Sequence, residues 1–377
     1  MCTHYKKLLI LIAAATLFLS GCGSSNNSPA APGLSHPAGI TVAPIDDNNP
    51  ATLPAVFAMP AAINDSNQIV GSAEAAAGGV LKPTYWLVDN AGAATVAPTE
   101  MNTVVVDGFA AAHDINTGGV IVGKAAHIDT SLRAVVWGDK DAAPALLNSL
   151  AGGFFAAAYG INDAGRIVGT SENIDGLLQA VRWQRDTLTG TLTGPSVLPG
   201  VPVGWEAEAN AVNADNHIAG ELVDVAGTSS AVVWKWDGVS SSYTALNLPV
   251  PAGFDHAVAL DLNSPAAGQP LLVVGEVSDD GLSGLTHAVR WSIDASNNIT
   301  VTDLGTTDRS SSAAAVNNAG RAAGWENNAS AVSLATSWNN PTGKAALFAN
   351  DSQAFDINDN NVVVGRSASQ GFVKLAN

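Results

Sequence analysis

Asp114, Asp261 and Asp356 each stand two residues ahead of an asparagine in closely similar surroundings. Carboxylates repeated at one position of a repeated unit can gather round an axis and hold a cation. Alternatively, each can accept hydrogen bonds from neighbouring inner-strand backbone, which is the plainer reading. A second set of acids follows strand-like apolar runs: Asp129, Glu172, Asp175, Asp224, Asp279, Asp280 and Glu326. Matching them are aromatics in glycine-led connections: Gly108-Phe109, Gly153-Phe154-Phe155, Gly204-Trp205 and Gly253-Phe254. Aromatic faces beside acids suit sugar rings or cationic groups, and Phe109, Phe154, Trp205 and Phe254 are therefore the candidate ligand-binding residues. Their plainer role is to cap a core where repeats meet.

No reaction chemistry announces itself. Asp356-Ile-Asn-Asp-Asn-Asn361 has the look of a calcium loop, but it lacks the ligand spacing and closing glutamate of an EF-hand. The chain contains no Gly-x-Ser-x-Gly elbow, no His-Glu-x-x-His and no phosphate-cradling glycine loop. His113, His127, His217, His256 and His287 are scattered without ligand spacing. No catalytic residue, metal or cofactor is assigned.

The elements that position these residues are repeats. Asn64, Asn116, Asn162, Asn213, Asn263, Asn317 and Asn358 recur at intervals of 52, 46, 51, 50, 54 and 41 residues. In six copies a glycine follows seven positions later, and in the fifth Gly275 follows at twelve because Ser264 to Pro270 is inserted. Alanine lies four before the asparagine in six copies, and a tryptophan follows the glycine in six: Trp86, Trp137, Trp183, Trp234, Trp291 and Trp338. Within a unit the period-two alternation of Ala158 to Asn162 reads as a strand, Asn-Asp-Ala-Gly as its turn, and Ile167-Val-Gly169 as the return. A third strand carries the tryptophan and a fourth short run closes the unit. Four antiparallel strands per ~40–50 residues is the size of a propeller blade, with the tryptophans buried between blades.

The seventh copy ends after a third strand, with Leu375 where tryptophan would stand. Gly39-Ile-Thr-Val-Ala-Pro44 is expected to supply the missing fourth strand, closing the ring and hiding its edges. The expected fold is all-β: a seven-bladed propeller over residues 39–377, with repeats starting near 59, 110, 157, 208, 257, 312 and 353.

The pattern Ala-x-x-Ile-Asn-x-x-Gly-x-Ile-Val-Gly followed by His-Ala-x-x-Trp resembles the HAF-type extracellular repeat of bacterial exported proteins. His287-Ala288-Val289-Arg290-Trp291 matches it best. That resemblance covers about residues 59–377 and implies export and a repeated β architecture, with no catalytic residues to carry over.

Residues 1–21 read as a signal peptide, with Lys6 and Lys7 before the apolar run Leu8 to Leu19. Leu19-Ser20-Gly21-Cys22 resembles a bacterial lipobox, which implies cleavage before Cys22 and lipidation of its sulfur. Residues 22–38 read as the lipidated cysteine and a flexible tether. After cleavage 14 basic residues face 33 acidic ones, about −19 overall, which excludes nucleic acid and anionic lipid headgroups as ligands. The expectation is a monomeric lipoprotein of the bacterial cell envelope, in the outer membrane or at the cell surface or periplasm. Its propeller would bind a polysaccharide or an envelope protein without catalysis. The alternative is an envelope glycan hydrolase or lyase using the acidic loop face.

Overall fold

Small residues before each turn asparagine let an inner strand sit against its neighbours, and the asparagine then reverses the chain. Repeated seven times, this hairpin gives seven antiparallel sheets of four strands. The computed structural model describes residues 51–52, 57–74, 79–89, 98–279, 284–340, 343–348, 350–367 and 370–376. The chain divides into two units, Met1–Ala38 and Gly39–Asn377, and every described residue belongs to the second. Blade 3 is typical: Ala156–Ile161 innermost, then Arg166–Glu172, Leu178–Arg185 and Leu192–Val197 outermost. The arrangement is a seven-bladed β-propeller, as the repeat predicts.

Ring closure follows the expected logic with a different strand. The outer edge of blade 7 is Ala51–Thr52, which pairs antiparallel with Gln370–Leu375 in the register Ala51 with Val373 and Thr52 with Phe372. The run Gly39 to Pro44, expected to do this, lies outside the described residues. Leu375, expected in the tryptophan register, stands one residue beyond it, opposite Val362, and is exposed; the register position, opposite Val363, is taken by the buried Lys374. Phe372, fully buried against Ala354, Val363 and Leu347, fills the space between blades instead.

In six of the seven blades the turn asparagine does two jobs. Its Oδ1 accepts the N–H that closes its own turn, as with Arg166 N to Asn162 at 2.9 Å and Val362 N to Asn358 at 2.9 Å. Its Nδ2 donates across to the backbone carbonyl of the next blade's asparagine: Asn64 to Asn116, Asn116 to Asn162, Asn162 to Asn213, Asn213 to Asn263, and Asn317 to Asn358. Asn358 donates at 3.0 Å to the carbonyl of Asn64, joining the last blade to the first. Turn geometry and ring cohesion thus share one side chain.

The tryptophans form the outer counterpart. All six are at most 2 % exposed. Five donate their indole N–H to a carbonyl of the preceding blade, among them Trp137 to Asn102 and Trp183 to Asn148, both at 2.8 Å. A buried indole needs such a partner, so these five rings both fill volume and tie two blades.

The repeated glycine answers a backbone constraint. In every blade the inner pair of strands slips by one residue between the alanine (Pro60 in blade 1) and the residue two ahead of the asparagine. The bulged residue is Ala61, His113, Tyr159, Asn210, Leu260, Ala314 or Phe355 in turn. Opposite the start of the slip stands the glycine, and a Cβ there would lie about 2.0 Å from a backbone carbonyl oxygen, as between Gly169 and Ala157.

Candidate functional site

Successive strands in a blade run antiparallel, so connections into first strands and connections after second strands emerge at the same end. Contacts bear this out over blades 1 to 4. Lys82 of blade 1 reaches Asp107, in the connection entering blade 2, at 3.3 Å. Arg133 of blade 2 donates to Ser149 Oγ and the Gly153 carbonyl, in the connection entering blade 3. Gly152, held at φ +83°, has no room for a Cβ because Ile174 of the blade 3 loop lies on it. Leu178 N and Gln179 Nε2 of blade 3 donate to Glu206 Oε1 and the Trp205 carbonyl of blade 4. The loops form one continuous surface.

The four candidate aromatics reach this face but differ in exposure. Phe154 is exposed, its N–H bonded to Glu172 Oε2 at 2.8 Å. Phe109 is half-buried. Trp205 packs on the core between blades 3 and 4, while Phe254 packs between blades 4 and 5 with its ring 4.9 Å from His287. Of the acids expected beside them, Glu326 is buried and paired with Lys344, and Asp280 lies outside the described residues.

Sequence reading missed the aliphatic members of this surface. Val106, Ile128, Ile174, Val203 and Val225 are between 78 and 101 % exposed, beside Phe154 at 71 %. With Val80 they make seven of the twelve large apolar side chains exposed among the described residues, all on the loop end of blades 1 to 4. The signal was available, since each sits one to three residues from a loop glycine or acid, but a lone valine in a loop predicts nothing about its neighbours in space.

A second cluster lies on the innermost strands. Asp114 accepts Ile115 N and, across the blade junction, Ile161 N, both at 2.7 Å. Asp356 accepts Ile357 N and Ile63 N in the same way, and Asp261 accepts Val316 N at 2.8 Å. The plainer reading of these aspartates, as staples between inner strands, is what the geometry gives. Burial pushes Asp114 up to about 6 and Asp261 to about 7, despite the N–H bonds that pull the other way. Asp356 is pushed well above the carboxylate range by burial and then by the charges of Asp261 and Asp114. Among the described residues no three acids, cysteines or histidines gather as a metal site.

Blade 4 adds a carboxyl pair that the sequence reading did not single out. Glu208 and Glu221 stand directly opposite on adjacent strands, which places their Cβ atoms about 4.5–5.5 Å apart. Burial, then Glu221, raises Glu208 to about 8. Lys124 is buried nearby, with its ammonium destabilised by burial and supported by Glu208. His113 donates through Nδ1 to the Ala158 carbonyl at 2.8 Å and stacks on Tyr159, and burial holds it neutral with its value lowered to about 3. On the opposite face two adjoining grooves of about 500 and 240 Å³ share Arg185 and Thr187. The inserted Ser264–Pro270 segment is also there, bonded through Ser264 to Asn318 and Ala214.

These features define a closed propeller with a polar inner ring and an apolar-acidic loop face. The sequence profile of a family described as a protein of unknown function (DUF3466) matches residues 31–136. That match is not to the HAF-type repeat, and the resemblance stated above is corrected accordingly. The pattern behind it has a packing origin: Ala134, Ala180, Ala231, Ala288 and Ala335 are fully buried three residues before a buried tryptophan. His287, the residue that matched best, is a buried side chain bonded to Asp303 at 2.8 Å. No curated protein matches the chain. Among solved structures, a streptogramin B lyase is similar at 12 % identity and TM-score 0.46, over 86 % of this chain and 96 % of that one. A putative TolB from Agrobacterium tumefaciens shares 13 % identity at TM-score 0.42, over 66 % and 80 %. The Aleuria aurantia lectin shares 9 % at TM-score 0.41, over 78 % and 96 %.

Proposed function

We propose that the protein is an exported lipoprotein, anchored through Cys22, whose propeller is a non-catalytic binding module for an envelope protein or a polysaccharide. Residues 1–21 and Cys22 lie outside the described residues, so the anchor rests on the lipobox-like Leu19-Ser20-Gly21-Cys22. The observation that carries the binding role is the loop face, where exposed apolar side chains of four consecutive blades share one surface. Soluble proteins rarely leave such patches without use. Labelling the full chain with a radioactive fatty acid tests the anchor: Cys22→Ala is expected to abolish incorporation and release the protein from membranes. Glycan arrays and pull-downs with that released protein test the module. Persistent membrane pelleting of the unlabelled variant would remove the anchor, and an inert loop face would remove the module.

One observation favours an enzymatic reading, but on the inner strands of blade 4 and not on the acidic loop face. Two opposed carboxyls, one held protonated near neutral pH, are what acid–base cleavage of a glycosidic bond requires. Glu208 and Glu221 meet that description. If they act so, Glu208→Gln and Glu221→Gln each lower turnover of an envelope polysaccharide by about 100-fold or more. Equal product release by wild type and both variants would end this reading.

A further inference from the structure

Accepting the loop face as the binding surface, we infer that its partner is a basic amphipathic polypeptide segment, not a sugar, a bilayer or a second copy of this chain. The argument starts from what stands beside each exposed apolar tip. Val106 is followed by Asp107, Ile128 by Asp129 and Ile174 by Asp175, while Asp224 precedes Val225 and Glu172 holds the N–H of Phe154. Five carboxylates therefore punctuate the apolar arc. The cations nearest to them are Lys82 and Arg133, which pair with Asp107 and Asp129. Asp224 spends one oxygen on its own loop, accepting Ala226 N and Thr228 N at 2.8 Å each. Negative charge remains in excess along the arc, on a chain whose formal charge is already −17.

Each competing occupant meets a specific obstacle. A bilayer would have to take up the apolar tips together with their carboxylates, and anionic headgroups would be repelled. Sugar rings stack on flat aromatic faces, and only Phe154 among the six exposed tips offers one. A second copy would bring acid against acid. A polypeptide with Lys or Arg set among apolar side chains satisfies both halves of the pattern. Its apolar groups cover Ile128, Ile174 and Val225, its cations meet the acids between them, and the protein's field speeds the encounter. The loops are fixed to one another through Arg133 and Gly153, Ile174 and Gly152, and Glu206 and Leu178, so the surface is formed before the partner arrives.

The test uses full-length protein carrying Cys22→Ala and a synthetic Lys/Leu amphipathic peptide, with Lys/Ser and Glu/Leu peptides of equal length as probes of each half. Zwitterionic vesicles and a panel of neutral oligosaccharides serve as the competing occupants. The Lys/Leu peptide is expected to bind at least about tenfold more tightly than either other peptide. Ile128→Ser, Ile174→Ser and Val225→Ser together should weaken it by roughly tenfold. Asp107→Asn, Asp175→Asn and Asp224→Asn together should weaken it comparably and reduce its salt dependence, because asparagine preserves the turn at residue 224. Leu188→Ser with Val239→Ser, 95 and 97 % exposed on the opposite face, should change nothing. Equal loss from those controls would overturn the inference, as would indifference to both loop-face triples. Sugar or vesicle binding that the apolar triple abolishes, without peptide binding, would overturn the partner class while leaving the loop face as a binding surface. Silence towards every probe would remove both.

Discussion

Gly169→Ala is expected to destabilise the propeller by at least ~3 kcal/mol, the largest single-residue effect foreseen outside the buried tryptophans. The added methyl would sit 2.0 Å from the Ala157 carbonyl oxygen and 2.9 Å from Ala158 Cα. Both are backbone atoms of the inner strand, so no rotamer change relieves the clash. The strand must move, and with it the Asp114 bond to Ile161 N and the Asn162 bond to the Asn213 carbonyl. Gly268→Ala is the control. That glycine has φ +80° with no atom within 4 Å of a Cβ position, so it should lose only about 1 kcal/mol of left-handed strain. Thermal unfolding of both variants separates steric from conformational cost. Equal losses would sink the account of the repeated glycine.

Stability is expected to fall as pH rises from 6.5 to 8, the reverse of what paired surface acids produce. Unfolded aspartate titrates near 3.8, whereas burial holds Asp261 to about 7 and Glu208 to about 8 from 4.5, and pushes Asp356 well above its ordinary value. The folded protein then keeps protons that the unfolded chain has released. Their stabilisation is complete below the unfolded values and is lost as pH climbs through the folded ones. His113 acts oppositely: its folded value is lowered to about 3, so it favours folding as pH rises towards its ordinary 6.5. Above 6.5 it is largely neutral in both states, which leaves the carboxyls to set the slope against Lys124, whose lowered value acts in the opposite direction. Glu208, protonated through most of the window, contributes roughly 1.5 kcal/mol of loss, and Asp261, which titrates within it, about half as much. Melting temperature should therefore drop by several degrees between pH 6.5 and 8. Asp356→Asn combined with Glu208→Gln should flatten the dependence. A rise across that interval in the wild type would contradict it.

How much of this was legible depends on whether a residue's role is local. The hairpin of Ala158 to Gly169 was legible because strand alternation, turn asparagine and glycine all act within twelve positions, and recurrence multiplied the signal. The tryptophans were legible for the same reason. The second bond of Asn162, to the carbonyl of Asn213, was not, because no property of one turn says that its amide will face the next. The edge strand shows the same limit. Gly39 to Pro44 and Ala51–Thr52 are both short extended stretches before the first repeat, and only pairing with Val373 and Phe372 distinguishes the strand that closes blade 7.

The sequence by itself determined the blade, the number of blades and the need for ends that complete each other. These follow from periodicity, and periodicity is a property of the chain. It also put the aromatics and acids on one face, since antiparallel strands send alternate connections to the same end. Only the tertiary structure decided which of them remain open. Phe154 stays exposed while Trp205 and Phe254 are absorbed into the cores between blades. Val106, Ile128, Ile174, Val203 and Val225, unremarked as single residues, become one surface because blades 2 to 4 bring them round the axis in order. Exposure and adjacency arise from packing between repeats about 50 residues apart, and no local rule encodes that distance.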